Sequence, residues 1–432
     1  MFSQLGLSSS ICASLTRLGH HTPTPVQTEA IPLVLSGVDV IARAQTGTGK
    51  TAAFALPTIE RLHTRNPAGR RLAPRALVLV PTRELAVQVC EALSTYAGPS
   101  RLRVAAIFGG VSMGGQLQAL RRGTDVVVAT PGRLMDHMQR RSIDLSSVEV
   151  LTLDEADRML DMGFLPALRR IVAMLPQKRQ TLLFSATMPD AVVRLAADFT
   201  RSAVRVDVSV GRVVAASVKH QIHHVAHDRK RELLTHILKE HGDAQALVFC
   251  RTKRGADRVG EALDARGVRA EVIHGNKSQG ARTRVLDGFK AGRVRVLVAT
   301  DIAARGLDIA QLPLVVNFDL PLVAEDYVHR VGRTGRAGHD GHAVSLVSAP
   351  EAALLRDIQR IVSAPLESVN APLANVAATR EPGVPARRTH SQPHNGRRPS
   401  HRTGRPGDHG ASRGARHDRS RSSRFAPATN AR

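Results

Sequence analysis

The sequence predicts two tandem doubly wound α/β units with parallel sheets, followed by a disordered basic tail. Three observations predict it. Short Val-, Leu- and Ile-rich runs recur without polar alternation, as in parallel strands buried on both faces. Amphipathic helical stretches separate them, which is the signature of βαβ units. The alternation pauses once near residue 210, restarts, and ends where the composition changes near 366. At 432 residues the chain has room for two domains, each with its own core.

In the first unit, ALVLV (76–80), RVAAIFG (103–109), DVVVAT (125–130), VEVLTL (148–153) and QTLLFSAT (180–187) read as strands. Helical patterns such as RELAVQVCEALSTYAG and PALRRIVAMLP lie between them. DVSVGRVVAAS, about 207–217, has neither a strong helical period nor a core run and reads as a linker. The second unit repeats the alternation with QALVFC (245–250), AEVIHG (270–275), RVLVAT (295–300), LVVNFDL (314–320) and HAVSLVS (342–348). The expected boundaries are 1–207, a linker over 208–217, 218–365, and a tail over 366–432. Ligands of such sheets sit beyond the carboxyl ends of the strands, here a cleft between the two units.

Composition narrows the function. A formal charge of +24 points to a polyanionic partner, nucleic acid before an acidic membrane surface. Aromatics are only 3%, too few for reading single strands mainly by base stacking, so contact with the nucleic-acid backbone is expected. No apolar run approaches the ~20 residues of a membrane span, and the first residues lack a signal-peptide pattern, so a cytoplasmic location is expected. Cys12, Cys90 and Cys250 are far apart and read as small buried residues of a reducing compartment. The 19 histidines lack the companions of a zinc site. Residues 380–432 hold thirteen Arg and no Lys against three acidic residues, which cannot support a core.

Two motifs carry the chemistry. AQTGTGKT (44–51) lies between an apolar run and a helical stretch, the setting of a phosphate-binding loop. Its candidate nucleotide contacts are Gln45, Thr46, Gly47, Thr48 and Gly49, with Lys50 reaching the terminal phosphates and the Thr51 hydroxyl binding Mg²⁺. About a hundred residues on, VEVLTLDEADRML places Asp154, Glu155 and Asp157 at a strand tip. Helix-terminal acids alone would be ordinary capping. Beside a phosphate loop, Asp154 suits Mg²⁺, directly or through water, and Glu155 suits the base that deprotonates the attacking water.

Asp154 to Asp157 spell DEAD, and with AQTGTGKT the chain resembles a DEAD-box RNA helicase over roughly residues 2–360. The resemblance implies two RecA-like domains, ATP with Mg²⁺, and RNA held mainly by its backbone. TPTPVQ resembles the adenine-reading motif, implying Gln27 at the adenine edge and Phe2 stacked on the ring; His20 stands where an aromatic is usual there. PTRELA with Pro81, Thr82 and Arg83, the Gly109–Gly110 pair, and TPGR with Thr130 and Arg133 resemble RNA-backbone motifs. SAT, with Ser185 and Thr187, resembles the motif coupling hydrolysis to strand separation. In the second unit, HRVGRTGR implies arginine fingers at Arg333 and Arg336, with His329 linking to the acidic motif. Asp308 matches the ribose contact, and Arg251, Gln279, Arg282, Thr300 and Asp301 match RNA contacts.

The expected activity is RNA-stimulated ATP hydrolysis that unwinds short duplexes or remodels ribonucleoproteins as two domains close. An RNA-binding scaffold with a vestigial ATPase and a DNA translocase are the weaker alternatives. GHDGHAVSLVS and HGNKSQGAR resemble the bacterial RhlE-type branch, implying partners among ribosomal precursor particles or the RNA-decay machinery. A monomer and no membrane partner are also expected.

Overall fold

The protein is represented by a computed structural model. It describes residues 1–45, 47–64, 73–100, 102–208, 218–304, 309, 311–335, 341–362 and 364–369. The first seven strands are β1 (Val40–Arg43), β2 (Ala76–Leu79), β3 (Val104–Ile107), β4 (Val126–Ala129), β5 (Val150–Leu153), β6 (Gln180–Ser185) and β7 (Val204–Asp207). They form one parallel sheet in the order β3-β4-β2-β5-β6-β1-β7. The next seven are β8 (Val218–His224), β9 (Ala246–Cys250), β10 (Ala270–Ile273), β11 (Val296–Thr300), β12 (Leu314–Asn317), β13 (Gly341–Val347) and β14 (Leu366–Val369). Their order, β10-β11-β9-β12-β13-β8-β14, repeats that of the first sheet strand for strand. The predicted fold class, two doubly wound α/β units, is the one observed.

Both faces of each sheet are covered, which is why the strands read as continuous apolar runs. Along β2, Val78 enters one apolar layer with Phe54 and Phe184, while Leu77 and Leu79 enter the opposite layer with Leu151 and Ile171. In the second sheet Val248 and Val316 face one layer, Leu247 and Val315 the other. Each fully buried side chain of this kind contributes about 1.5–3 kcal/mol of transfer free energy. Parallel register then gathers the strand ends. Leu79 lies opposite both Ala129 and Leu153, and Arg43 lies opposite Ser185. The phosphate loop, the DEAD tip, SAT, PTRELA and TPGR therefore emerge at one edge.

Three strands were not anticipated. β7 is an edge strand with only Val206 buried, so VRVD shows no apolar run. β8 buries His220 and His223 beside Val218 and Ile222, which hides its period. β14, LESV, pairs with β8 and occupies the place that β7 holds in the first sheet. The second folded half thus runs past the expected boundary at 365, because an exposed edge strand needs no apolar run. Most of the expected linker, 209–217, and the tail beyond 369 lie outside the described residues. Both sheets belong to one compact unit, Met1–Asn375. Among the described residues no helix is long and apolar enough to cross a membrane.

Candidate nucleotide site and nucleic-acid interface

The phosphate loop leaves β1 and ends where the helix Lys50–Thr64 begins. Gly47 and Gly49 adopt φ of 84° and 88°, a region that side-chain-bearing residues avoid. Thr48 closes the turn by donating its hydroxyl to the Gln45 carbonyl at 2.7 Å. Lys50 is 5% exposed, and its Nζ makes no hydrogen bond in the structure. Such a buried ammonium beside a helix N-terminus is arranged for an anion. Thr51 is half-buried in the first turn. Gln27 touches this loop directly: its Oε1 accepts from Thr24 N–H at 2.9 Å and its Nε2 donates to Gly49 O at 3.1 Å. A Cβ on Gly49 would lie 2.3 Å from that Nε2, a second reason for glycine there. Phe2 is buried with Leu5, Leu7 and Ile11 in the first core. Thr46 lies outside the described residues.

At the DEAD tip, Asp154 is 3% exposed and its Oδ1 accepts from Glu155 N–H at 3.0 Å. Burial pushes its carboxyl up to about 6, against the pull of Lys50, with Glu155 and Asp157 adding repulsion. Glu155 is buried with φ 54° and ψ 51°. Asp157 is bonded to SAT: its Oδ2 accepts from Thr187 N–H at 2.9 Å and Thr187 Oγ1 at 2.8 Å. Ser185 Oγ accepts from Asp157 N–H at 3.2 Å and donates to Thr187 O at 2.7 Å. Burial works against the Asp157 carboxylate, but the Thr187 hydroxyl, Lys50 and Arg158 outweigh it and hold its pKa below the usual value.

The acidic tip also reaches the second sheet's half. Arg158 pairs with Asp326 and donates to Nδ1 of His329, both on the helix Ala324–Val331. Burial lowers the His329 pKa, with Arg158 adding to that effect, which suits a neutral ring that accepts. Glu155, Asp157, Arg158, His329 and Arg333 line one cavity. Arg330, which was not expected to act at the site, is 2% exposed and holds Asp301 in a bidentate pair at 2.6 and 2.7 Å. The Asp301 carboxylate, expected to face RNA, is thereby engaged inside the second half. Thr300 is buried at the end of β11. Asp308 and Arg336 lie outside the described residues.

A second groove is lined by Pro81, Arg83, Gly109, Thr130 and Arg133 from the first half and by Arg282 from the second. Thr82 caps the helix Arg83–Tyr96 by accepting Leu85 N–H at 3.2 Å, which leaves its hydroxyl proton available to donate. A Cβ on Gly110 would lie 2.0 Å from Arg83 Nη1, so this guanidinium rests on the glycine turn. Arg83 in turn donates to Gln279 Oε1 at 3.3 Å. Buried Glu84 accepts from Gln279 Nε2 at 2.9 Å and pairs with Arg282 at 2.8 Å. Gln279 and Arg282 therefore hold the first half. Arg251 donates to Glu351 Oε1 at 3.0 Å and Leu320 O at 3.2 Å, inside the second half. Glu84 was overlooked although it sits within PTRELA; a charged residue inside a motif of RNA contacts was the available signal. Arg158 and Asp326 had none, since each is an ordinary helix-surface residue by pattern.

The sequence matches the DEAD/DEAH box helicase family over residues 24–195 and the helicase conserved C-terminal domain over 229–338. It is 44% identical to the DEAD-box ATP-dependent RNA helicase CshA of Geobacillus kaustophilus, over 87% of this chain and 79% of that one. It is also 44% identical to the ATP-dependent RNA helicase DeaD of Klebsiella pneumoniae, over 88% of this chain and 58% of that one. Among solved structures, S. cerevisiae Dbp5 bound to RNA and ADP BeF3 is similar with a TM-score of 0.77 at 31% identity, covering 86% of this chain and 96% of that one. Mss116p bound to ssRNA and AMP-PNP gives a TM-score of 0.76 at 28% identity, covering 86% and 78% respectively. With its two family matches in order over two sheets of one topology, this chain belongs to the DEAD-box helicase family.

Proposed function

We propose that the protein is an ATP-dependent RNA helicase that unwinds short duplexes or remodels ribonucleoproteins through RNA-stimulated ATP hydrolysis. One observation carries the mechanism. Asp157 of the DEAD tip is bonded to SAT, and its neighbour Arg158 is bonded to Asp326 and His329 on the helix that ends two residues before Arg333. The halves can thus respond together to what occupies the phosphate loop.

ATP is the substrate of that loop. The backbone of Gln45 to Gly49 and Nζ of Lys50 bind its phosphates, while Gln27 and Phe2 read the adenine. The donor set fits Mg²⁺: a buried carboxylate at Asp154, raised by burial and by its acidic neighbours, and a hydroxyl at Thr51 beside the buried Lys50. When bound, Mg²⁺ neutralises phosphate charge. Glu155 takes the proton of the attacking water, and its buried position excludes other solvent. Arg333 and Arg336 stabilise charge on the transferring phosphoryl group, and Asp308 holds the ribose. RNA lies along the second groove, against Thr82, Arg83, Gly110, Thr130 and Arg133, with Arg251, Gln279, Arg282, Thr300 and Asp301 contributing from the second half. The bonds of Gln279 and Arg282 to Arg83 and Glu84 favour a role for these two in holding the halves together as RNA enters.

GHDGHAVSLVS and HGNKSQGAR support placement in the RhlE-type branch, with a monomeric cytoplasmic enzyme acting on ribosomal precursors or in RNA turnover. Residues 380–432 serve as a nonspecific RNA tether. ATP hydrolysis by the purified chain, alone and with single-stranded RNA or DNA, tests the reading. Strong stimulation by RNA and little by DNA is the expected result. Equal stimulation by both, or none, overturns it.

A further inference from the structure

The two RNA-facing segments of the first half, the turn Phe108–Val111 and the helix start Thr130–Arg133, follow different strands, β3 and β4, and would be independently mobile if only the sheet held them. One buried amide joins them. Gln116, in the helix Met113–Arg121, is 7% exposed. Its Nε2 donates to Phe108 O at 2.9 Å, immediately before the Gly109–Gly110 pair. Its Oε1 receives Arg133 Nη1 at 3.4 Å and stands 3.2 Å from Nε2 of His137. Arg133 closes the bracket by donating both Nη1 and Nη2 to Val111 O at 3.2 Å, on the far side of the glycines.

The donor and acceptor inventory leaves one arrangement. The Gln116 carbonyl oxygen already serves Arg133, so the amide cannot be flipped without facing Phe108 O with an oxygen. His137 must then present Nε2–H to Gln116, while its Nδ1 lies 2.8 Å from Ser142 Oγ. The ring is wholly buried, and burial followed by the nearby Arg133 charge keeps it neutral. Arg133 is only 12% exposed at its side chain, and both its Nη1 and Nη2 donate within this bracket while Nε faces Asp136 at 3.5 Å. The glycine turn it fixes carries Arg83, which bonds Gln279 of the second half.

We infer that Gln116, backed by His137, is a positioning residue that locks the Gly109–Gly110 turn to the TPGR helix start as one rigid RNA-backbone platform. Arg133 acts on RNA largely through this bracket, and the phosphates are met by groups the bracket holds still. An interior hydrogen bond that sets geometry is felt in binding, because a loosened platform must be ordered each time RNA arrives.

This inference rests on the RNA-helicase reading, and the experiment separates the two. Gln116→Leu keeps the volume and removes all the amide's hydrogen bonds. The RNA concentration giving half-maximal ATPase stimulation should rise about tenfold, while kcat at saturating RNA and KM for ATP stay within about twofold. Gln116→Glu, which keeps the acceptor for Arg133 and His137 but opposes Phe108 O, should fall between Leu and wild type. It also serves if the Leu variant does not fold. RNA half-saturation unchanged in the folded variants, with normal stimulation of the wild type, overturns the inference alone. A kcat loss without any rise in RNA half-saturation overturns it too. Absence of stimulation in the wild type is the failure of the helicase reading instead.

Discussion

Glu155 holds a left-handed conformation, φ 54° and ψ 51°, at the step from β5 into the next helix. For a residue with a side chain this costs about 1–2 kcal/mol, which the surrounding strand tip must offset. The conformation turns Glu155 into the cavity shared with Asp157 and Arg333. Glu155→Gln preserves shape and backbone while removing the proton acceptor. RNA-stimulated kcat should fall by at least about 10²-fold, with ATP and RNA affinities changed only slightly. Wild-type turnover would remove Glu155 from the role of base. Asp154 gives a prediction of the opposite sign for stability. Its folded pKa of about 6 lies above the ordinary carboxylate value, so the folded nucleotide-free chain holds that proton more tightly than the unfolded chain. Stability is therefore lost as pH rises through about 6. Asp154→Asn should raise the unfolding free energy of the nucleotide-free protein at pH 7.5 by about 1–3 kcal/mol, and abolish ATP turnover. The stability gain should shrink as pH falls from 6 toward 4. A variant destabilised at pH 7.5 would show that Lys50 already compensates the charge.

The six-residue helix Ala156–Asp161 buries Ala156 and Met159 in the core of the first half and carries a contact between the halves. Arg158 extends from it to Asp326; burial opposes the guanidinium charge, but Asp326 with Asp157 and Glu155 outweighs it and raises the pKa. Buried pairs contribute little net stability when intact but leave a costly lone charge when one partner is removed. Arg158→Ala and Asp326→Ala should each lower RNA-stimulated kcat/KM, and the double variant should be no worse than the weaker single. A coupling energy of about 1–3 kcal/mol from that cycle is expected; additivity within ~0.3 kcal/mol would mean the contact does not act in turnover. Nothing in DEADRML marks Arg158 for this, because a helix-surface arginine looks the same whether it meets solvent or another half. Elements buried on both faces were legible for the opposite reason. ALVLV and the ALVFC of QALVFC are apolar throughout, and they coincide with β2 and β9. β7, β8 and β14 escaped because edge position and buried histidines remove that pattern. The phosphate loop was legible from Gly47, Gly49 and Lys50, whereas the Gln116 and Glu84 contacts depend on which loops the sheet order brings together.

The strand orders of the two halves match, but their corresponding lysines do not serve alike. β8 stands where β1 stands, and Lys230 opens the helix after β8 as Lys50 opens the helix after β1. Lys50 Nζ has no hydrogen bond, but Lys230 Nζ is wholly buried against Glu351 Oε2 at 2.5 Å and Phe318 O at 2.8 Å. Phe318 follows β12, the counterpart of β5, so the second half satisfies its lysine with its own carboxylate and carbonyl. Glu351 also receives Ser348 Oγ at 2.7 Å and Arg251 at 3.0 Å, so Lys230, unlike Lys50, is not left for a phosphate. The described contacts between the halves run through Arg158 at the nucleotide side and Glu84 at the RNA side. Two ligands that favour one closed arrangement must strengthen each other by equal factors. A nonhydrolysable ATP analogue should tighten single-stranded RNA binding about tenfold or more, and RNA should tighten the analogue equally. Arg282→Ala removes the pair with Glu84 and should shrink both factors together by about 1–2 kcal/mol of coupling. Titrations of each ligand with and without the other measure this. A wild-type factor near one would dismiss shared closure, and a full factor in Arg282→Ala would confine the coupling to the Arg158 side.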